Sequence, residues 1–459
     1  MFKKLFGDRA FLSRVFALTI PIMLQNGITN FVNMLDNIMV GRVGTAEMTG
    51  VAVSNQLMFV FNLCIFGAVS GAGIFVSQYY GSADEEGVRR SLRFKLFFCS
   101  GLCILGIAAF LLFGDSLISA YLQGEGDAAS IEASAYYARR YLSVMLIGLL
   151  PYTVAQCYSS TLRECMRATP PMAAGVIAVL VNLVLNFILI FGHFGIAPLG
   201  VEGAAIATVV SRFVELAVIV VWTRRNIESV PYMRGVLSSM YVGRELVLRI
   251  IRKGMPLMLN EAMWASGIAV LCQCYSIRGL DVVSAVNIQQ TFFNVFSVAF
   301  MAVGVAAGII IGNHLGADER EEAMQTAKRL ARLSVLISVL VGGVFFVCAS
   351  FIPDIYNTTD SVKSLARDLM CICALLMPLD AYAHVSYFTL RSGGKVLVTI
   401  LFDSCFVWVV SVPTAYLLSR YTSMPILALF AVCQGENIIK DVLGYIFVRG
   451  GKWTQNITS

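Results

Sequence analysis

The sequence predicts an all-α integral membrane protein with twelve transmembrane helices in two pseudo-symmetric six-helix lobes. Of its 459 residues, 58% are hydrophobic and 14% are charged. The mean hydropathy of +0.77 exceeds that of ordinary globular domains. Most charged residues separate apolar runs of about 20 residues, each long enough to cross a bilayer. The second half of the chain also repeats motifs of the first half in the same order.

Twelve spans follow from the apolar runs between Gly, Pro and charged residues. If the N-terminus lies inside, the inner segments hold about 25 basic residues and the outer segments about seven. The positive-inside rule therefore predicts cytoplasmic termini and a multi-pass protein of the plasma membrane. The net charge of +6 fits loops that face anionic lipid, and we expect no nucleic-acid partner. The predicted spans are 15–40, 51–79, 94–113, 136–162, 171–191, 203–223, 254–275, 284–312, 330–352, 367–389, 396–418 and 425–447.

Two motifs recur at an offset of 235 positions. IPIMLQN at Ile20–Asn26 aligns with MPLMLNE at Met255–Glu261, and SGAGIFVSQYYG at Ser70–Gly81 aligns with VAAGIIIGNHLG at Val305–Gly316. Because each half has an even number of spans, both enter the membrane in the same sense. This predicts parallel repeats with a site near the membrane midplane. The predicted domains are an N-terminal lobe at 1–223, a cytoplasmic linker at 224–253 and a C-terminal lobe at 254–459.

The first span has one polar face. Its polar side chains fall within an arc of roughly 140° on a helix. A carboxylate at membrane depth usually faces a bundle interior or a wet cavity and marks an ion or substrate path. Alternatively, Asp36 is a boundary acid near the headgroups, since Arg42 follows shortly after it. The polar residues are Gln25, Asn26, Thr29, Asn30, Asn33, Asp36 and Asn37.

Three residues of later spans are candidate partners of Asp36. Asn182 and Asn186 are four apart in the fifth span and share one helix face, and Thr208 lies in the sixth. A carboxylate among amide and hydroxyl oxygens suits a proton or a hard cation such as Na⁺. The two asparagines would otherwise serve as interhelical hydrogen-bonding groups.

The second half has its own intramembrane acids. Glu261 lies in the seventh span, and Asp380 begins a polar stripe in the tenth. Glu436 and Lys440 are at i and i+4, which predicts a structural ion pair. For Asp403, two roles remain open: it contributes to helix packing, or it forms part of an inner gate. The stripe in the tenth span consists of Asp380, His384, Tyr387 and Arg391.

Polar residues with aromatic neighbours indicate a cavity for amphipathic organic molecules. Acids in such a cavity favour cationic ones. The candidate substrate-cleft residues are Asn33, Asn55, Gln56, Trp264, Asn287, Gln290 and Asn294.

Other functional classes are disfavoured. The twelve cysteines are scattered without metal-ligand spacing. The three histidines are dispersed and no nucleophile motif stands out, so we expect neither catalytic residues nor an enzyme. We expect no cofactor other than the coupling ion, and no metal beyond a possible Na⁺ at Asp36, Asn182 and Asn186.

In combination, several motifs resemble those of the multidrug and toxic compound extrusion (MATE) family. They are P-x14-D with MVGRVG in the first span, SGAGIFVSQYYG in the second, TLRECMRAT after the fourth, GVEGAAIATVVSR around the sixth, and YFTLRSGGK after the tenth. The resemblance implies two six-helix lobes around a V-shaped central cleft, with alternating access. It also implies a cation or proton site in the first lobe and a second set of acids in the NorM-like branch. The first site would comprise Asp36, Asn182, Asn186 and Thr208, and the second set Glu261 and Asp380.

The function implied by the resemblance is secondary active antiport. Such a protein exports amphipathic, cationic organic compounds in exchange for H⁺ or Na⁺. We expect a monomer in the lipid bilayer whose partners are small organic substrates. The coupling ion stays open because DinF-like and NorM-like features are mixed. The alternative is a flippase or exporter of lipid-linked or other metabolites, which would favour an Arg-rich cleft.

Overall fold

The computed structural model describes residues 5–122, 128–195, 197–239, 241–356 and 358–458, without the side chains of residues 128 and 280. All regular structure in this part of the chain is helical. A helix satisfies its own backbone hydrogen bonds, as spans in lipid require. The helices of the first half are α1 Arg9–Gly41, α2 Thr45–Gly81, α3 Glu85–Leu122, α4 Ala128–Glu164, α5 Thr169–Phe191 and α6 Gly200–Arg225. Those of the second half are α7 Arg244–Ser276, α8 Leu280–Gly316, α9 Arg320–Cys348, α10 Asp360–Ser392, α11 Val396–Tyr421, α12 Ile426–Gly435 and α13 Asn437–Arg449.

Eleven of these helices, α1 to α11, are long and apolar enough to cross a membrane. They confirm the predicted all-α membrane fold. The last predicted span, 425–447, is divided into α12 and α13 at Glu436. The ninth span was predicted to reach 352, but α9 ends at Cys348. Most other helices extend beyond the apolar runs, because the helical backbone hydrogen bonds continue into the polar residues on either side.

The described chain divides into two compact units. The first unit contains residues 1–23, 77–84 and 255–459. The second unit contains residues 24–76 and 85–254. The lobe boundaries drawn from the sequence remain a prediction.

In the first unit, α2 and α8 end in a close, reciprocal contact. A Cβ atom on Gly81 would overlap the backbone carbonyl of Asn313, and one on Gly316 would overlap that of Gln78. These four residues are related by the 235-position offset of the repeat. Such close approach of two backbones is possible only where the side chain is small.

The C-terminal segment, residues 450–458, packs against the same region of the first unit. Gln78 is fully buried. Its Nε2 donates to the carbonyls of Ser392 at 2.9 Å and Gln455 at 3.1 Å, and its Oε1 accepts from the backbone N–H of Ile457 at 2.8 Å. The side chain of Trp453 is 1% exposed. The segment is thus a packed part of this unit.

In the second unit, Arg93 of α3 fixes the stretch between α6 and α7. Its Nε donates to the carbonyl of Val236 at 2.8 Å, and its Nη2 to that of Gly235 at 2.9 Å. Two short 3₁₀ turns, Pro231–Met233 and Val236–Ser238, form this stretch. The predicted linker therefore contains ordered turns that contact a helix.

Candidate functional site

A cavity of about 330 Å³ lies within the second unit, between α1, α2, α4, α5 and α6. It includes residues from several predicted spans, and its apolar wall includes Val40, Val51 and Met58. Such a mixture of apolar wall and few polar groups is typical of small-molecule sites. The main polar contributors are Asn33, Asp36, Asn55, Asn186, Thr208 and Arg212.

Asp36 of α1 is hydrogen-bonded to α5. The Nδ2 of Asn186 donates to Asp36 Oδ1 at 2.6 Å. Asn182 and Asn186 are 6% and 1% exposed. Their i, i+4 spacing turns both amides to one helix face, as the sequence predicted.

The amide of Asn182 fits its surroundings best with oxygen and nitrogen exchanged. In that orientation its nitrogen donates to Asp36 Oδ2 at 3.0 Å, and its oxygen accepts from Thr208 Oγ1 at 3.3 Å. We adopt this orientation, because amide orientation is assigned from the hydrogen-bond network. Asp36 then has amide donors from two residues, and Thr208 closes the group.

The group also contains an acceptor aimed at no donor. Asn186 Oδ1 is buried and makes no hydrogen bond within the described chain. Together with the carboxylate of Asp36 and the hydroxyl of Thr208, it provides oxygen ligands of the kind that hard cations prefer. No cluster of three or more His, Cys, Asp or Glu side chains suited to a metal occurs among the described residues.

The cavity also contains residues that the sequence analysis did not assign to a site. Arg212 lines it, and its guanidinium lies 4.8 Å from the ring centroid of Tyr152, another lining residue. Arg212 follows Thr208 by four positions in α6 and so projects from the same helix face. The four-residue spacing from Thr208 could have identified Arg212 as a site residue. The sequence analysis assigned a role only to Thr208 in the motif GVEGAAIATVVSR.

The predicted substrate-cleft residues fall in different places. Asn33 and Asn55 line the cavity, whereas Gln56 is exposed and does not. The remaining four belong to the first unit, where Gln290 Nε2 donates to Asn294 Oδ1 at 2.9 Å. These four are exposed residues of α7 and α8, namely Trp264, Asn287, Gln290 and Asn294.

In the first unit, the acids of the second half have partners from the chain itself. Tyr387 donates to Glu261 Oε1 at 2.9 Å, and Arg391 Nη1 lies 3.8 Å from the same oxygen. Asp403 accepts from Asn260 and forms an ion pair with Lys440, both at 3.0 Å. Glu261 and Asp403 thus each face a cationic side chain.

Asp380 has a different partner from Glu261. Its Oδ1 accepts from Asn437 Nδ2 at 2.6 Å, at the start of α13. The predicted ion pair between Glu436 and Lys440 is wrong, because Lys440 is paired with Asp403. Both carboxylate oxygens of Glu436 are buried and make no hydrogen bond within the described chain. Glu436 lies at the break between α12 and α13. Its carbonyl accepts from the backbone N–H of Lys440 at 3.4 Å, so the two residues are one helical turn apart although their side chains do not pair.

A family model described as MatE matches residues 21–188 and 256–417. The probable multidrug resistance protein NorM of Thermotoga maritima is 25% identical, over 95% of this chain and 92% of that protein. The probable multidrug resistance protein YoeA of Bacillus subtilis is 24% identical, over 90% of this chain and 88% of that protein.

Solved structures share the fold. One is the outward-facing conformation of a multidrug resistance MATE family transporter of the MOP superfamily, with a TM-score of 0.85 and 19% identity over 98% of this chain and 97% of that one. Another is a MOP superfamily transporter from Pyrococcus furiosus, with a TM-score of 0.83 and 19% identity over 98% of both chains. Both match nearly the whole described chain.

Proposed function

The chain belongs to the MATE family, and from that membership we propose that it is a secondary active antiporter that exports amphipathic, cationic organic compounds in exchange for H⁺ or Na⁺. The family match and the names of the relatives support multidrug efflux. The observation that carries the proposal is the hydrogen-bonded group around Asp36, which lines a cavity large enough for part of an organic molecule. Charge at this carboxylate can then be balanced either by the coupling ion or by the substrate.

The coupling follows from shared use of Asp36. A proton or cation bound there removes the negative charge that a cationic substrate would use. Binding of the ion and of the substrate are then linked through one conformational equilibrium, which is what exchange requires. Pro21 and Gly27 lie within α1, and proline removes one backbone hydrogen bond from the helix. Bending of α1 at these positions would move Asp36 relative to its partners.

Both ions are compatible with the site. A proton needs only Asp36, whose ionised form is held by two amide donors. Na⁺ needs several oxygens, and Asn186 Oδ1, Thr208 Oγ1 and the carboxylate would supply them. We place the coupling site here because Asp36 lines the cavity, whereas Glu261 and Asp380 do not. We assign these two acids a supporting role in the second half, where each accepts a hydrogen bond from a side chain.

We further propose a plasma-membrane location with both termini in the cytoplasm. The asymmetric distribution of Lys and Arg along the chain supports this orientation.

The test uses purified protein in liposomes and a fluorescent organic cation. Movement of the cation is followed under an imposed pH gradient and, separately, under an imposed Na⁺ gradient. We expect one gradient to drive transport and Asp36→Asn to abolish it. As a matched control, Asp115→Asn removes a carboxylate of α3 whose side chain is 76% exposed and should transport like the wild type.

Two results would contradict the proposal. Wild-type transport by Asp36→Asn would remove Asp36 from the coupling site. If neither gradient moves any cationic probe, the alternative function, a flippase for lipid-linked metabolites, is favoured. Lipid-linked substrates would then be tested.

A further inference from the structure

The C-terminal segment, residues 450–458, reaches both helices of the α2–α8 crossing. The backbone N–H of Ile457 donates to Gln78 Oε1 in α2 at 2.8 Å. One residue earlier, Asn456 Nδ2 donates at 3.4 Å to the carbonyl of Gly316, the last residue of α8. Two consecutive residues of the segment therefore bridge the two helix ends.

The segment is anchored by Trp453. The side chain of Trp453 is 1% exposed, and its Nε1 donates to the carbonyl of Val448 in α13 at 2.8 Å. A Cβ atom on Gly393, directly after α10, would overlap the carbonyl of Trp453. The backbone of the segment thus lies against the end of α10, and residues 454–457 run from there to the crossing.

The segment has little secondary structure of its own. Residues 451–458 form turns and bends without a helix or a strand. Their local backbone contacts include two turn bonds, from Thr454 N–H to Gly451 O at 3.1 Å and from Gln455 N–H to Trp453 O at 2.8 Å. A stretch without a backbone ladder opens locally at a lower free energy than a packed helix. The segment can therefore leave the crossing while α2 and α8 keep their own hydrogen bonds.

Gln78 uses its whole amide in contacts at this place. Its Nε2 donates to the carbonyls of Ser392 and Gln455, and its Oε1 accepts from Ile457. Residues 24–76 of α2 belong to the second unit, whereas Gln78 belongs to the first. The segment therefore fastens the end of α2 within the first unit.

We propose that residues 453–457 act as a strap, which holds the ends of α2 and α8 together and must be released before these ends can separate. The inference rests on the proposed function, because alternating access requires the helix ends that close one side of the membrane to part in the other half of the cycle. In the orientation predicted from the sequence, α2 and α8 both end on the cytoplasmic side. The strap then stabilises the state that is closed to the cytoplasm, and its release precedes opening.

The experiment measures hydrogen–deuterium exchange by mass spectrometry on the detergent-purified, full-length protein. Ile457→Pro removes the N–H that donates to Gln78. We expect it to speed exchange at both helix ends, residues 77–84 and 312–318, about fivefold, as loss of one hydrogen bond implies. Deletion of residues 453–459 should speed it further. Exchange in α5, which belongs to the second unit, should change less than about twofold, because the opening is local.

The matched control is Ile457→Val, which keeps the backbone N–H and most of the side chain and should exchange as the wild type does. If the deletion variant does not fold, Ile457→Pro alone decides. The inference is overturned if Ile457→Pro leaves exchange at both helix ends unchanged, if faster exchange stays within the segment, or if exchange in α5 rises equally. Exchange needs neither a substrate nor a gradient, so this result is independent of whether the protein transports an organic cation.

Discussion

The amide of Asn186 donates to the carboxylate of Asp36 at 2.6 Å, although the two residues are 150 positions apart. This hydrogen bond joins α1 to α5 inside the cavity of the second unit. Because the amide nitrogen is engaged, Oδ1 of Asn186 remains as an acceptor within the group. One side chain therefore donates to the carboxylate through its nitrogen and keeps a buried oxygen without a hydrogen bond in the described chain.

Asn186→Leu should reveal the coupling ion by the direction of its effect. If the ion is Na⁺, loss of an oxygen ligand should raise the Na⁺ concentration for half-maximal transport about tenfold. If the ion is H⁺, loss of a donor to the ionised carboxylate should lower the required proton concentration. The measurement is initial transport rate against ion concentration in liposomes. Asn30→Leu, outside the cavity wall, is the control, and an unchanged ion dependence in Asn186→Leu would argue against this role.

Lys440→Met should destabilise the protein strongly, because Asp403 would lose its cationic partner. Both side chains are 13% exposed, and removal of one partner from a buried pair costs about 3–5 kcal/mol. Thermal unfolding in detergent measures the effect. The double variant with Asp403→Asn should recover part of the loss, as coupled residues do. Arg320→Gln, which breaks an exposed pair with Asp318, should leave the unfolding temperature nearly unchanged. If Lys440→Met and Arg320→Gln lower the unfolding temperature equally, Lys440 is not the stabilising partner of Asp403.

Gly81→Ala and Gly316→Ala should each destabilise the protein by about 1–3 kcal/mol. The added Cβ would overlap a backbone carbonyl of the other helix, so α2 and α8 would have to separate. Gly343→Ala is the matched control, since a Cβ there meets nothing within 4 Å and alanine favours a helix by up to about 1 kcal/mol. The comparison is made by thermal unfolding. A stable Gly81→Ala variant would show that this crossing tolerates a wider spacing.

The spans could be predicted from sequence because transfer of apolar runs into lipid dominates the fold. Some ends could not, because the polar ends of α3 and α7 continue the helix beyond the apolar region. The break at Glu436 was also missed. Hydropathy averages over such an interruption. Gly435, the last residue of α12, is a residue type that commonly marks a helix end, but the sequence analysis did not use it.

The polar group around Asp36 could be anticipated, since the i, i+4 spacing of Asn182 and Asn186 places both on one face. Its role in transport remains a prediction. The partner of Lys440 was mistaken, because the choice between Glu436 and Asp403 depends on how α11 and α13 pack. Local spacing carries no information about packing between distant segments.

The reciprocal crossing of α2 and α8 is the contact that a two-fold homodimer makes, in which each residue pair occurs twice. A chain of half this length would form it by pairing with a second copy of itself. In a single duplicated chain the two copies are free to differ. Gln78 holds the C-terminal segment, whereas Nδ2 of its counterpart Asn313 donates to Ile309 O within its own helix. The two halves of the crossing therefore differ in one respect. The residue in α2 also binds the C-terminal segment, and its counterpart in α8 bonds within its own helix.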